Sequence, residues 1–172
     1  KNMTTGEGGL ISVGDPNVAR RLRLLRNQGQ ERRYENEIVG LNNRMTDMQA
    51  AIGRVQLRSL SEWTKTRQDN ADFYSENLRG VVVPESDPRA EHVFHQYTIR
   101  IVDLDRDKFA EELASRGIGT GVYYPTPCHR LPSFDVGLTL PETERAAREC
   151  LSIPVHPLVG PDEREHIVAS IN

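Results

Sequence analysis

Long hydrophobic runs are missing from this sequence. No segment approaches the roughly 18 consecutive apolar residues that a membrane-spanning helix needs, so a membrane protein is not expected. An excess of charge of either sign is missing too: 22 basic and 25 acidic residues, spread along the chain, give a formal net charge of −3. That excludes the broad basic face demanded by nucleic acid or an anionic membrane surface. Cysteine is scarce. Cys128 and Cys150 admit one disulfide, although two reduced thiols in an intracellular enzyme is the more ordinary reading. There is no initiator methionine, no apolar or basic leader, no internal repeat and no low-complexity tract, and a soluble cytoplasmic protein is the expectation. What is there is 172 residues, 37% of them hydrophobic, enough for one domain or part of a larger one to bury a core without staples.

Local signals divide the chain into elements. Gly9 to Val13 is a short apolar run that reads as a strand closed by Gly14; Asp15 then caps a helix with Pro16 at its first position, and Val18, Leu22 and Leu25 continue at helical spacing to about Gln28. Gly29 to Asn43 is polar and aperiodic and reads as a long surface or interface loop. Thr46 is the next N-cap. From there Met48, Ile52, Val55, Leu57, Leu60, Trp63, Ala71, Tyr74 and Leu78 keep helical spacing to Gly80, predicting one helix of about 33 residues or two parted near Thr66 to Asn70. Helices longer than about 25 residues commonly bridge domains, so the boundary is expected inside it, with residues 1–60 and 61–172 on either side.

Beyond Gly80 the pattern alternates. Strands are expected at Val81 to Val83, within Val93 to Val102, at Gly121 to Tyr124 and at Leu151 to Val155. Helices are expected from Asp105 to about Arg116, from Thr143 to Cys150 and from Pro161 to Ile171, with a proline-rich excursion from Pro125 to Pro141. The order suits a small mixed α+β layer.

The opening stretch "KNMTTGEGG" sets Lys1 against a glycine-rich turn. A free lysine amine has a pKa of about 10.4 and is a poor nucleophile unless a site desolvates it or a cofactor holds it. Most lysines are solvated surface charges, and the Walker pattern that would mark a phosphate loop is absent. His92 and His95 stand three apart without a third ligand nearby, so no metal is expected.

"KNMTTGEGGLI" resembles the motif of the DegT-type (DegT/StrS) sugar aminotransferases, fold-type I enzymes that use pyridoxal phosphate. The resemblance continues in order through "GLNNRMTDMQAAIGRVQL", "HQYTIRI", "RGIGTGVYYPTPCH", "LPETERAAREC" and "LSIPVHPLV". It implies an α/β fold: the carboxy-terminal part of a fold-type I aminotransferase, comprising the end of the large cofactor-binding domain over residues 1–60 and a small mixed α+β domain over 61–172, joined by a long helix. In that family the lysine sits near the middle of a chain about twice this length, so these residues are expected to be a carboxy-terminal half. The rest of the cofactor cage would lie outside it, leaving these residues inactive alone.

The resemblance also implies roles. Lys1 would carry pyridoxal phosphate covalently, be displaced by the amino donor and then move the proton. Asn42 matches an asparagine that reaches the cofactor phosphate of a neighbouring subunit, implying a homodimer, although "LNNRMT" also suits a plain turn or cap. Arg44 would add charge there or form a structural salt bridge. His129 and Tyr124, in "YYPTPCH", match a stretch near the sugar substrate; a loop histidine is otherwise just solvated, His95 packs or contacts substrate, and Cys128 fills space. The implied reaction is transfer of an amino group from glutamate or glutamine to a nucleotide-linked keto sugar. A keto-cyclitol aminotransferase and a non-catalytic, regulatory member are the alternatives. A sugar dehydratase fits less well, because in those relatives a histidine replaces the lysine.

Overall fold

The structure is a computed structural model that describes residues 2–134 and 137–172. The chain divides into two compact units, residues 3–60 and residues 61–172, with Asn2 belonging to the second.

In the first unit, α1 (Pro16–Arg26) begins where the sequence signals it. The Asp15 carboxylate accepts from the Asn17 N–H at 2.7 Å, and Pro16 occupies the first turn, satisfying donors that have no partner within the helix. The chain then folds back on the end of α1. Leu41 N donates to Leu25 O at 2.7 Å, Asn43 N to Arg26 O at 3.0 Å and Gln28 N to Leu41 O at 2.8 Å. Between these closures lie β1 (Gln30–Arg32) and β2 (Glu35–Asn36), a short antiparallel pair. The stretch expected to be irregular is therefore a closed hairpin, stitched by backbone hydrogen bonds that leave no hydrophobic period to read. Gly29 makes the closure feasible: its φ is +74°, and a Cβ there would stand 1.7 Å from Ile38 O.

Helix α2 (Asp47–Leu57) carries a capping box, Thr46 bonding Gln49 N while the Gln49 side chain reaches back to Thr46 N at 2.9 Å. Gln56 Oε1 accepts from Thr4 N at 2.7 Å and Gln49 Nε2 donates to Glu7 O at 3.0 Å, so two α2 side chains hold the Thr4–Gly8 turn. Gly9 to Val13 forms no strand. Leu10 and Ile11 are 87% and 72% exposed, and an extended run becomes a strand only where another lies beside it to share its hydrogen bonds.

The predicted long helix is interrupted, but not at Thr66 to Asn70. It stops after Leu57, where Arg58 N and Ser59 N bond three residues back to Val55 O and Gln56 O, and resumes as α3 (Leu60–Asn77). The polar lapse stays helical because its polar residues are buried and bonded within the second unit. Arg67 donates to Phe94 O and His95 O at 3.1 and 3.3 Å, and Asn70 to Val159 O at 3.1 Å.

The second unit centres on β3 (Tyr97–Arg100) paired antiparallel with β4 (Cys150–Ile153), in the register Tyr97↔Ile153, Ile99↔Leu151. The strands expected at 81–83 and 121–124 reduce to single bridges, Val82 to Arg100 and Gly121 to Ser152, one on each outer side of the pair. Strand β4 ends at Ile153 because Pro154 has no N–H for the ladder. Around it pack α3, α4 (Arg106–Ser115) and α6 (Pro161–Ile171), while α5 (Pro141–Glu149), with no buried residue, leads into β4 and Cys128–Arg130 forms a 3₁₀ turn. Asp105 caps α4, and Gly117, at φ +81°, follows its end. Tyr97, Ile99, Leu151 and Leu113 are wholly buried with Ala71 and Tyr74 of α3 and Ile167 of α6. Among the described residues no helix is long and apolar enough to cross a membrane.

Ile99 has no solvent exposure and sits mid-ladder, so Ile99→Ala should lower unfolding free energy by about 3 kcal/mol. Denaturant titration of the whole protein would show it; a change under about 0.5 kcal/mol would mean the ladder is not the centre of this core.

Candidate functional site

Lys1 lies outside the described residues. Its neighbour Asn2 belongs to the second unit, where Asn2 Nδ2 donates to Val93 O at 2.8 Å. The carbonyls of the next two residues, Phe94 and His95, are taken by Arg67. Three successive carbonyls are thus captured by side chains, which explains how Phe94 is held at φ +38° while 8% exposed. Arg67 itself is buried, and desolvation lowers its pKa. His92 spends its Nδ1 accepting from Phe94 N at 2.9 Å. Among the described residues no group of three or more His, Cys, Asp or Glu is placed to hold a metal ion.

In the first unit, the hairpin closure that ends with Asn43 N on Arg26 O fixes the backbone around Asn42, which forms a bridge with Asn27. Asn42 Oδ1 accepts from Arg44 Nε at 2.9 Å. Both residues are exposed, and among the described residues Arg44 makes no ion pair. With the carboxamide oxygen occupied, the Asn42 N–H₂ and the outer guanidinium nitrogens of Arg44 are donors only. That donor set suits an anion, above all a phosphate.

In the second unit the proline-rich excursion is organised around a carboxylate that the sequence reading did not single out. Glu144 is the fourth residue of α5. Its Oε1 lies 3.0 Å from His129 Nε2, accepts from Arg130 Nη2 at 2.9 Å and Nε at 3.3 Å, and accepts from Leu140 N at 3.2 Å at the start of its own helix. His129 is buried, its side chain 8% exposed, so it is no solvated loop histidine. Bonding to His129, to Leu140 N and to Arg130 draws the Glu144 carboxyl down to about 2. Tyr124 is 78% exposed and sits at φ +57°, an uncommon conformation for a residue with a Cβ. Cys128 is exposed and free, against the expectation that it fills space. Spacing alone cannot find Glu144, fifteen residues from its histidine. The available signal was an acidic residue in the first turn and a half of a proline-started helix.

The whole chain, residues 1–172, matches the DegT/DnrJ/EryC1/StrS aminotransferase family. It belongs to that family. It is 36% identical over 173 residues to the erythromycin biosynthesis sensory transduction protein EryC1 of Saccharopolyspora erythraea, covering 96% of this chain and 47% of that one. It is 37% identical to the dTDP-3-amino-3,4,6-trideoxy-alpha-D-glucose transaminase of Streptomyces venezuelae, covering 88% and 41%. The fold agrees with the crystal structure of the sugar aminotransferase CalS13 of Micromonospora echinospora, with a TM-score of 0.88, 30% identity and coverage of 99% and 48%. The chain therefore spans about half the length of the curated relatives it matches, and its α/β architecture is that of the corresponding part of a family aminotransferase.

The depressed Glu144 carboxyl sets a pH dependence. A carboxyl lowered in the folded state contributes stability that is complete above its ordinary 4.5 and is lost as pH falls toward about 2. The thermal midpoint of wild type should therefore exceed that of Glu144→Gln above pH 4.5 and converge on it through that window; a gap unchanged by acid would contradict the ionised cluster.

Proposed function

We propose that the whole protein is a pyridoxal-phosphate-dependent aminotransferase that moves an amino group from glutamate or glutamine onto a nucleotide-linked keto sugar. The observation that carries this reading is the family match over the full chain, in which relatives 31 to 37% identical are named transaminases of dTDP-linked and UDP-linked sugars. The donor set at Asn42 and Arg44 fits the phosphate end of the cofactor, since it offers N–H groups and positive charge and no competing acceptor. Residues 1–60 would belong to the large cofactor-binding domain and 61–172 to the small one.

Pyridoxal phosphate, when bound, would supply an electron-withdrawing ring that delocalises negative charge from the donor α-carbon and an aldehyde carbon able to carry the amino group. Lys1 would hold it through Nζ and would move the proton at the donor α-carbon, a task that needs a primary amine. Asn42 and Arg44 bind the phosphate of the neighbouring subunit's site, which makes the active form a homodimer. Tyr124 and His129 contact the sugar.

Two relatives favour a second reading. EryC1 is named a sensory transduction protein, and a relative from Geobacillus stearothermophilus, 38% identical, is named a pleiotropic regulatory protein. A regulatory member would need no turnover, which separates the two.

Incubation of the whole protein with glutamate or glutamine and a nucleotide-linked keto sugar should yield the amino sugar by mass spectrometry, and Lys1→Ala should reduce the rate by about a thousandfold or more. No product with any such sugar, in a folded and cofactor-loaded protein, would favour regulation. Asn42→Ala should weaken cofactor retention on dialysis by about tenfold with the thermal midpoint of the apoprotein unchanged; equal retention would remove Asn42 from the phosphate.

A further inference from the structure

An imidazole has two ring nitrogens, and the partner of one decides what the other can do. His129 Nε2 faces Glu144 Oε1 at 3.0 Å. That oxygen also takes the Arg130 guanidinium and the Leu140 N–H, and these donors hold the carboxyl ionised at neutral pH. An ionised carboxylate accepts and has no proton to give. In a neutral ring Nε2 must then carry the hydrogen, and Nδ1 is left with its lone pair.

The carboxylate does not owe its place to the histidine. Glu144 is built into the first turn and a half of α5, where unpaired N–H groups and the helix dipole favour negative charge, and its bond to Leu140 N ties it to that helix start. At 22% side-chain exposure, against 8% for His129, the pair is shielded from most of the water that would exchange its partners. The acceptor is thus in position before any ligand arrives.

We propose that Glu144 is a positioning residue: by holding His129 in the Nε2–H form it makes Nδ1 the acceptor for a sugar hydroxyl of the substrate. The inference rests on the proposed contact between His129 and the sugar. It adds a specificity rule, because an acceptor of this kind selects a hydroxyl and rejects a sugar with a deoxy carbon or an oxo group at that point.

The whole protein, with ¹⁵N-labelled histidine, allows the ring to be read by long-range nitrogen–proton correlation at mildly alkaline pH, with His129 assigned by its loss in His129→Gln. Wild type should show hydrogen on Nε2 and a lone pair on Nδ1. Glu144→Gln keeps a carbonyl oxygen for the same donors and should keep that form, whereas Glu144→Ala should populate the Nδ1–H form. In kinetics, Glu144→Ala should raise KM for the nucleotide sugar about tenfold and leave KM for the amino donor unchanged, with Glu144→Gln intermediate. Hydrogen on Nδ1 in wild type overturns the proposal, as does a folded Glu144→Ala with an unaltered ring or an unaltered sugar KM. If Glu144→Ala does not fold, the wild-type and Glu144→Gln spectra still decide the ring form. That reading needs no turnover, so absence of sugar transamination would remove the proposed function while the spectra test Glu144 separately.

Discussion

The pairing of Tyr97 and Ile99 with Ile153 and Leu151 is the constraint on which the second unit depends. These four side chains alternate along a four-residue ladder and lie on its buried face. A slip of one residue would turn all of them outward, so the register is strongly specified. It also fixes the end of the excursion that carries the candidate substrate contacts. Helix α5 runs directly into β4, and Arg106 locks the junction by donating to Ala147 O and Cys150 O at 3.1 and 2.9 Å. With the carboxyl end of α5 held by the ladder, Glu144 near the other end is held too, and His129, Arg130 and Leu140 gather on it.

The first unit is held differently. Its one buried large hydrophobic residue is Leu24. Backbone hydrogen bonds closing the 27–43 hairpin on α1, and side-chain caps at Asp15 and Thr46, do the organising. Leu10, Ile11, Val39, Leu41, Met48 and Val55 are all more than 60% exposed.

Four helix starts were legible in the sequence because their causes are local: Asp15 with Pro16, Thr46, Asp105 and Pro161 each supply a cap or a fixed φ within a few residues, whereas α5 starts at Pro141 instead of Thr143 and the start of α3 at Leu60 carried no such signal. Elements that depend on distant partners were not. Gly9 to Val13 has the composition of a strand and, among the described residues, no strand beside it, whereas Arg67 and Asn70 interrupt the apolar period yet stay helical because carbonyls 27 and 89 residues away receive their donors. The site followed the same division. Lys1, Asn42, Arg44, His129 and Tyr124 were reached through resemblance to a family, since no residue pattern alone distinguishes them from surface groups. Glu144 carried no motif of its own and became visible only when the fold placed it against His129.

Everything proposed for the chemistry depends on the amine of Lys1. Borohydride reduction of the whole protein after incubation with pyridoxal phosphate, followed by peptide mapping, reads that amine directly. A visible band that reduction removes, with the cofactor fixed on the peptide containing Lys1, is the predicted result. A folded protein without the band, or an adduct on Lys65 or Lys108 instead, would contradict it.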